Sequence, residues 1–387
     1  MPAWIHRIDT IVPDFSFTQE EASLKMQEWA RDDRERRLIR AVYRASGIDR
    51  RHAVVRNFDG GEADRFFRPG PDGTLQGPGT AARNDIYAAE SRPLSVALAR
   101  KAIDGCPGIG PEDITHVVTV SCTGFYNPGP DYHIVRELGI PDGVQRYHLG
   151  FMGCYAAFPA LRMAAQFCEA DPSSAVLVVC LELCSLHAQL KGTEDAILAN
   201  SLFADGAGAA IVAGREPPPG RPAYRLGAFR SALVPSGERD MAWRIGDRGF
   251  DIALSSYVPR IIGASIRDAV DPALAACGLS AGDVGAWAVH PGGKSIIDQV
   301  QRSLALSPEQ VAASREVLRD YGNMSSASIL FVLGKILERV PEAAEETVFA
   351  VAFGPGLTVE SAILHALPAG AGASRARSGG ARTVAPA

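Results

Sequence analysis

The chain contains 387 residues, enough for one large domain or for two packed halves that each bury a core. Hydrophobic residues make up 47% of the sequence and charged residues 21%, which is typical of a folded globular protein and excludes a disordered one. The formal net charge is −5, so nucleic acid and anionic membranes are not expected as partners. No run approaches the roughly 20 apolar residues of a membrane span, and residues 1–15 lack a signal-peptide layout, which predicts a cytoplasmic protein.

Elements predicted in chain order begin with residues 17–45, a charged amphipathic stretch that indicates one helical segment, capped by Thr18 with Glu20 and Glu21 in its first turn. Residues 55–80 are rich in Gly, Pro, Asp and Arg and are predicted to form a surface loop. Helix and strand patterns then alternate. The predicted helices are 93–103 and 155–170, and the predicted strands are 116–122, 175–184 and 206–214.

The second half of the chain repeats the first. Residues 108–124 superpose on residues 278–293, and residues 153–169 superpose on residues 322–338 at nearly the same offset. The repeat predicts an α/β protein of two duplicated halves in a five-layered α-β-α-β-α packing. The Pro-rich segment 217–220 predicts the boundary between the halves, which are residues 1–220 and 221–366. Residues 367–387 have little to bury and are predicted to be a disordered tail.

The repeat also predicts where a functional site lies. It places Cys154 and Asn323 at equivalent positions, each at the start of a buried helix, and it sets His290 at the end of a strand equivalent to the one that carries Val120. If the two helices point their N-termini at one place, then Cys154, His290 and Asn323 converge there. The sequence therefore predicts one site that is built from both halves.

The chemistry of these three residue types fits nucleophilic catalysis. A cysteine at a helix N-terminus is favoured as the thiolate, and Gly153 leaves room for a substrate carbonyl; a buried structural cysteine is the alternative. His290 ends an apolar strand before Pro-Gly-Gly, so its ring is either presented at a loop or buried in the core. Asn323 could cap a helix and also donate a hydrogen bond to an enolate.

The seven cysteines show no C-x-x-C pair and no metal spacing, so neither a disulfide framework nor a metal site is predicted.

Several sequence words resemble the type III polyketide synthases, the chalcone-synthase-like family. They are GCYAA around Cys154, HPGGKSIIDQV (290–300), GNMSSASILF (322–331), FGPGLTVE (353–360), LFADGAGAAIV (202–212) and NPGPDYHIVRELG (127–139). The resemblance spans residues 85–365 and implies a thiolase-like fold, a homodimer and a catalytic triad of Cys154, His290 and Asn323. It also implies an acyltransferase that extends an acyl-CoA starter with malonyl-CoA and uses no metal or redox cofactor, the CoA thioesters being substrates.

Other positions take pocket roles only through this resemblance. Phe203 matches a gate phenylalanine, and the matched cavity positions are Cys122, Thr123, Cys184, His187, Ile252, Ser325, Gly354, Pro355 and Gly356. Cys122, Cys184 and His187 stand where plant chalcone synthases usually have threonine, and Ile252 replaces a second gate phenylalanine. These departures look more like bacterial enzymes that take long fatty acyl starters and release alkylresorcinols, alkylresorcylic acids or alkylpyrones.

Positions that would contact CoA are predicted less directly. Gly292, Gly293 and Ser295 match contacts to the pantetheine arm. Arg44 lies on one predicted helical face with Arg37 and Arg40 and could meet the CoA phosphates, although a solvated face is the alternative. The family's phosphate-binding cations are not reproduced at Leu38, Ala41 and Ala45.

Three other classes of protein remain as alternatives. A ketoacyl synthase III shares the fold and the triad but usually has a different sequence motif around the histidine than the HPGG found here. A papain-type hydrolase would place its cysteine early in a secreted, disulfide-bonded chain. A non-catalytic homologue would have a broken triad, whereas all three residues are present here.

Overall fold

The computed structural model describes residues 2–56, 66–71, 74–340 and 345–368. Its helices are α1 (Gln19–Glu28), α2 (Asp33–Ala45), α3 (Thr80–Asp104), α4 (Pro130–Leu138), α5 (Ala157–Ala170), α6 (Glu194–Leu202), α7 (Val258–Ala275), α8 (Lys294–Leu304), α9 (Ala312–Tyr321) and α10 (Ser328–Leu337). Its strands are β1 (Trp4–Ile11), β2 (Ser16–Thr18), β3 (Arg50–His52), β4 (Arg68–Pro69), β5 (Leu75–Gln76), β6 (His116–Ser121), β7 (Gln145–Gly150), β8 (Ala175–Leu183), β9 (Asp205–Ala213), β10 (Ala223–Leu233), β11 (Met241–Gly246), β12 (Gly249–Leu254), β13 (Ala286–Val289), β14 (Glu346–Gly354) and β15 (Thr358–Leu367). No helix within these ranges is long and apolar enough to cross a membrane.

Nine strands form one mixed sheet in the order β13-β14-β15-β10-β1-β9-β8-β6-β7. Strand β1 joins its two halves. It pairs with β9 along its length, from Trp4 to Ile11, but with β10 only at Trp4 and Ile5. The sheet is therefore continuous in hydrogen bonding, with a short seam between β1 and β10.

Side chains of β8 and β14 alternate between two cores, as expected of strands that are buried on both faces. In β8, Val176 and Val178 face a central core that also contains residues of α5 and α10, whereas Leu177 and Val179 face an outer core with α3. In β14, Val348, Ala350 and Ala352 face the same central core, and Phe349, Val351 and Phe353 face a second outer core with α7 and α8. The predicted five-layered α-β-α-β-α packing is confirmed.

The predicted repeat corresponds to matching elements of structure. A short 3₁₀ turn at Pro111–Asp113 precedes β6, and a second at Ala281–Asp283 precedes β13. In each turn the aspartate accepts a hydrogen bond from the backbone N–H three residues earlier, at 2.8 Å. The boundary at residue 220 stays a prediction, because β1 pairs with strands on both sides of it.

The structure bears on three predictions: the helix over residues 17–45, its cap at Thr18, and the tail from residue 367. The single helix predicted for residues 17–45 is wrong: α1 ends at Glu28 and α2 starts at Asp33, because the Asp32 side chain caps a new helix by accepting from the Glu35 N–H. The predicted cap at Thr18 is confirmed as a capping box with Glu21. Strand β15 includes Leu367, the first residue of the predicted tail, and residues 369–387 lie outside the described ranges.

Candidate active site

Cys154, His290 and Asn323 line one cavity of about 490 Å³. Exposed residues such as Ser256 and Arg260 line the same cavity, so it reaches the surface. The cavity combines residues from both halves of the repeat, as the sequence predicts. Its volume lies within the usual range for small-molecule sites.

Cys154 lies in a tight turn before α5, closed by a hydrogen bond from the Ala156 N–H to the Gly153 carbonyl at 3.1 Å. Gly153 has a φ of +86°, and a Cβ at this position would lie 2.4 Å from Cδ of Pro355. Only glycine fits this combination of backbone angle and close approach. The turn is therefore locked against Pro355, and this contact sets the position of the half-buried Cys154.

His290 is held by its backbone and has a free ring. Its N–H donates to the Val351 carbonyl at 2.8 Å, and the Gly292 N–H donates to the His290 carbonyl at 2.8 Å, which turns the chain sharply after β13. Neither ring nitrogen has a hydrogen-bond partner among the described residues. Burial lowers the pKa of His290 to about 3, so the imidazole is neutral and its one N–H is available to a ligand.

Asn323 is anchored through its backbone and oriented through its side chain. Its N–H donates to Leu202, and its carbonyl accepts from Ala204, both at 2.9 Å, which fixes it beside Phe203. Its side-chain Oδ1 accepts a hydrogen bond from the Ser325 N–H at 2.9 Å. Because the oxygen is used in this way, it is the Nδ2 group that donates to the Cys154 thiol, and its second N–H remains for a ligand.

The electrostatics of Cys154 differ from the sequence-based expectation of a thiolate. Burial raises the pKa of the Cys154 thiol to about 11, and hydrogen bonds with Ser325 and Asn323 oppose this rise. The reason is that α5 begins at Ala157, so Cys154 lies before its first turn, where the helix dipole acts weakly. Burial and the Glu182 charge raise the pKa values of Cys122 and Cys184 well above the ordinary thiol value. Cys154 is the only one of the three cavity thiols with opposing hydrogen bonds from both Ser325 and Asn323.

Most of the predicted pocket and pantetheine residues line this cavity. They are Phe203, Cys122, Thr123, Cys184, Ile252, Ser325, Pro355, Gly292, Gly293 and Ser295. Gly354 and Gly356 are not among the lining residues. A Cβ on Gly354 would lie 2.5 Å from Tyr155, and Gly356, with a φ of +73°, makes the turn between β14 and β15. These two glycines shape the backbone around Pro355.

His187 and Arg44 also lie apart from the cavity wall. The His187 Nε2–H donates to the Thr123 carbonyl at 2.7 Å, and its Nδ1 accepts from the Phe250 N–H at 3.0 Å, so both nitrogens are used behind the wall. Arg44 is exposed on α2, which presents Val42 and Ala45 to the cavity instead. The cations that line the cavity are Arg260, at the start of α7, and Lys294, at the start of α8.

The hairpin of β11 and β12 supplies a wall of which the sequence analysis named only Ile252. Met241 pairs with Leu254 and Trp243 pairs with Ile252, so these four side chains share one face, and all four line the cavity. The Trp243 Nε1–H donates to the Cys122 carbonyl at 3.0 Å. The alternation of apolar residues on either side of Gly246–Gly249 is a hairpin signal that could have revealed this wall.

Glu182 is a second residue that the sequence analysis did not assign. This fully buried carboxylate accepts hydrogen bonds from the Thr123 hydroxyl at 2.8 Å, the Ser326 hydroxyl at 2.6 Å and the Cys122 N–H at 3.0 Å. Burial raises its pKa, and these hydrogen bonds oppose the rise. An acidic residue inside an otherwise apolar strand was the available signal. No group of three or more His, Cys, Asp or Glu side chains within the described ranges could hold a metal ion.

The duplicated five-layered fold, with its cavity between equivalent elements, makes this a thiolase-like protein. The comparisons define the family. The family model "Chalcone and stilbene synthases, N-terminal domain" matches residues 71–217, and its C-terminal counterpart matches residues 226–368. The chain therefore belongs to the chalcone and stilbene synthase family and is a type III polyketide synthase, an acyltransferase.

Relatives and solved structures agree with this assignment. An alpha-pyrone synthesis polyketide synthase-like protein, Pks18 of Mycobacterium tuberculosis, is 34% identical over 92% of this chain and 90% of its own length. Bisdemethoxycurcumin synthase of Oryza sativa is 36% identical over 75% of this chain and 74% of its own. The crystal structure of PKS-I from the brown alga Ectocarpus siliculosus superposes with a TM-score of 0.87 at 31% identity, covering 94% of this chain and 98% of that one. The 1,3,6,8-tetrahydroxynaphthalene synthase of Streptomyces coelicolor gives 0.81 at 28% identity, covering 93% and 98%.

Proposed function

We propose that this type III polyketide synthase condenses a long-chain fatty acyl-CoA starter with several malonyl-CoA units and releases an alkylresorcinol, an alkylresorcylic acid or an alkylpyrone. The two named relatives concern different products, an alpha-pyrone and bisdemethoxycurcumin, so the starter has to be argued from the cavity. The observation that carries the proposal is the apolar face of the β11–β12 hairpin, which forms one wall of the cavity.

That wall suits an aliphatic chain. Met241, Ile252 and Leu254 offer no hydrogen-bonding group, and the one polar atom of Trp243 already donates to the Cys122 carbonyl. Each methylene buried there contributes about 0.8 kcal/mol. A phenolic starter would gain no comparable hydrogen bond from this face. The cavity chemistry therefore favours a fatty acyl chain.

The proposed triad divides the work among three side chains. Cys154 attacks the starter thioester, and the neutral His290 accepts the thiol proton as the new S–acyl bond forms. The bond to CoA breaks, and the leaving CoA thiolate takes the proton back from His290, which leaves the acyl chain on Cys154 and His290 neutral. Malonyl-CoA then loses CO₂, and the resulting enolate attacks the acyl group on Cys154. The His290 N–H and the Asn323 Nδ2 group stabilise that enolate, a role supported by the unpartnered ring nitrogens of His290 and by the hydrogen bond of Asn323 to the Cys154 thiol, which places its amide at the reacting sulfur.

The CoA phosphates are proposed to lie at the mouth of the cavity. Arg260 and Lys294 are the cations that line it, and each lies in the first turn of a helix, where the backbone dipole also favours an anion. The Lys294 ammonium forms an ion pair with Asp298, with Nζ 2.5 Å from Oδ2. Arg260 is therefore the main contact proposed for the CoA phosphates. Arg260 therefore takes the role of phosphate contact that the sequence predicted for Arg44, which lies on the exposed side of α2. Gly292, Gly293 and Ser295 keep their proposed contacts to the pantetheine arm.

We also propose a homodimer in the cytoplasm. Strand β7 ends the sheet and pairs only with β6 within the described ranges, so its outer edge can meet a second copy. All seven cysteines are free thiols, which suits a reducing compartment. Light scattering of the purified chain tests the dimer.

The experiment that tests the function supplies malonyl-CoA with acyl-CoA starters from hexanoyl to octadecanoyl, and with p-coumaroyl-CoA, and identifies products by mass. We expect kcat/KM to rise with chain length and p-coumaroyl-CoA to be a poor starter. A flat profile, or a preference for the aromatic starter, would contradict the long-chain proposal. The Cys154→Ala variant is the control, because it should give no condensation product.

A further inference from the structure

The active-site cavity contains three thiols. Cys122, Cys154 and Cys184 line it, whereas Cys106, Cys168 and Cys180 are buried elsewhere and Cys277 is exposed. The proposed condensation uses only Cys154. Cys122 and Cys184 are therefore two further thiols in the cavity that contains Cys154, with no assigned role in that reaction.

Cys122 and Cys154 flank the same hydroxyl group. The Cys122 Sγ lies 3.4 Å from the Ser325 Oγ, and the Cys154 thiol also makes a hydrogen bond with Ser325. No hydrogen bond connects Cys184 to Ser325 in the part of the chain that the structure describes. Cys122 is therefore the thiol placed for a reaction with Cys154, and Cys184 is a natural control within the same cavity.

A proton acceptor lies next to Cys122. The Oε2 atom of Glu182 is 3.5 Å from the Cys122 Sγ and also accepts from the Cys122 N–H. A thiol attacks a sulfur centre as its thiolate, so removal of its proton is required. Burial and the Glu182 charge raise the pKa of the resting Cys122 thiol, so the proton passes to the adjacent carboxylate only as the new S–S bond forms.

We propose that Cys122 is the resolving thiol for peroxide-oxidised Cys154, so that the cavity forms a reversible Cys122–Cys154 disulfide. In the first step the Cys154 sulfur attacks hydrogen peroxide; the O–O bond breaks, water leaves, and Cys154 becomes a sulfenic acid. In the second step Cys122 transfers its proton to Glu182 and attacks the Cys154 sulfur. The S–O bond breaks as the S–S bond forms, and the departing hydroxide recovers the proton as water.

The crosslink requires the two sulfurs to approach each other. A disulfide needs the two sulfurs about 2.05 Å apart. Cys154 is half-buried and lies in the turn before α5, outside the helix, and the proposed crosslink requires its side chain to rotate past Ser325 toward Cys122. Peroxide reaches it by the route that substrates use. The consequence is protection, since a sulfenic acid that finds no thiol is oxidised further to a sulfinic acid, which ordinary thiols cannot reduce.

The test treats the full chain with hydrogen peroxide, blocks the remaining thiols with N-ethylmaleimide, and analyses a non-reducing digest by mass spectrometry. We expect a Cys122 peptide joined to a Cys154 peptide, two hydrogens lighter than the pair, which dithiothreitol separates. This readout needs no polyketide activity, so its failure is distinct from failure of the proposed function. A digest in which oxidised Cys154 is found only as sulfinic acid, or joined to another cysteine, would overturn the proposal.

Two matched variants sharpen the result. In Cys122→Ser we expect Cys154 to gain two oxygens and to stay oxidised in dithiothreitol. In Cys184→Ser we expect the same disulfide as in the unchanged chain, because no hydrogen bond links Cys184 to Ser325 among the described residues. Equal recovery of the Cys154 thiol in both variants would show that Cys122 is not the resolving thiol. Should Cys122→Ser fail to fold, the presence or absence of the Cys122–Cys154 peptide in the unchanged chain still tests the proposal.

Discussion

At Cys154 two opposing effects set the pKa of the thiol. Burial raises it, and hydrogen bonds from Ser325 and Asn323 lower it, with the balance at about 11. His290 does not supply a positive charge in the free enzyme, because burial lowers its pKa to about 3. Both members of the pair are therefore neutral before substrate binds, and the thiolate has to form during the attack on the starter thioester.

The pH dependence of alkylation tests this resting state. Below a pKa of about 11 the thiolate fraction rises tenfold for each pH unit, so the rate of Cys154 alkylation by iodoacetamide should increase about tenfold per unit from pH 7 to 9. The measurement follows the Cys154 peptide by mass spectrometry, with exposed Cys277 as the reference site. A rate that is already constant from pH 7 upward would show a preformed thiolate–imidazolium pair instead.

Asn323 offers a separate test, because its oxygen and nitrogen have different partners. Asn323→Asp keeps the oxygen that accepts from the Ser325 N–H but replaces the Nδ2 donors with an anionic oxygen. One such donor is worth about 10²–10³ in rate, so decarboxylation of malonyl-CoA should fall by at least that factor. Loading of the starter on Cys154, read as an acyl-enzyme mass, should still occur but more slowly, because the variant loses the hydrogen bond that lowers the pKa of Cys154. Extension close to the original rate would remove Asn323 from the mechanism.

At the scale of the element, the turn that carries Cys154 depends on the close contact of Gly153 with Pro355. Gly153→Ala should destabilise the fold twice over: a left-handed alanine costs about 1–2 kcal/mol, and its Cβ would overlap the Pro355 ring. Gly139→Ala is the matched control, because Gly139 has a φ of +68° with nothing within 4 Å of the added Cβ.

Denaturant unfolding and condensation activity measure both variants. We expect the free energy of unfolding of Gly139→Ala to fall only by the backbone cost of a left-handed alanine, and its condensation activity to be kept. Gly153→Ala should lose more stability and most of its activity, since the turn has to shift and takes the nucleophile with it. Equal losses of stability in both variants, with activity kept, would show that the Pro355 contact does not position Cys154.

Elements with strong periodicity were predictable from the sequence, and so was the convergence of the three site residues. Strand β8 was predictable because it is apolar except for Glu182, as expected of a strand with both faces buried. The repeat alone placed Asn323 opposite Cys154. The break between α1 and α2 was missed because the charged face continues across it, and only the Asp32 cap marks the new start. The hairpin wall was not predicted as a unit because Trp243 and Ile252 come together only through the pairing of β11 with β12. The sequences of two such short strands indicate their register only weakly.

At the scale of the whole molecule, the mouth and the interior of the cavity belong to different parts of the fold. Arg260 and Lys294 come from outer helices, whereas the hairpin and the central layers form the wall. Arg260→Ala should raise KM for acyl-CoA by up to about fivefold, the worth of one exposed charge contact. The same variant should handle N-acetylcysteamine thioesters unchanged, because these lack the CoA phosphates. Arg267→Ala, on the exposed face of the same helix, is the control and should alter neither KM.

The last prediction concerns how the wall sets the length of the starter. Cys184 lines the cavity together with Ile252 and Trp243, so Cys184→Phe would fill space that an acyl tail occupies while leaving the triad in place. Because each buried methylene contributes about 0.8 kcal/mol, or roughly fourfold in kcat/KM, losing room for two carbons should cost long starters roughly tenfold or more. The optimum should therefore move to shorter chains. The measurement is the ratio of kcat/KM for dodecanoyl-CoA to that for hexanoyl-CoA. Cys184→Ser, of similar size, should keep the original ratio, and a ratio unchanged in Cys184→Phe would place the acyl tail along another wall.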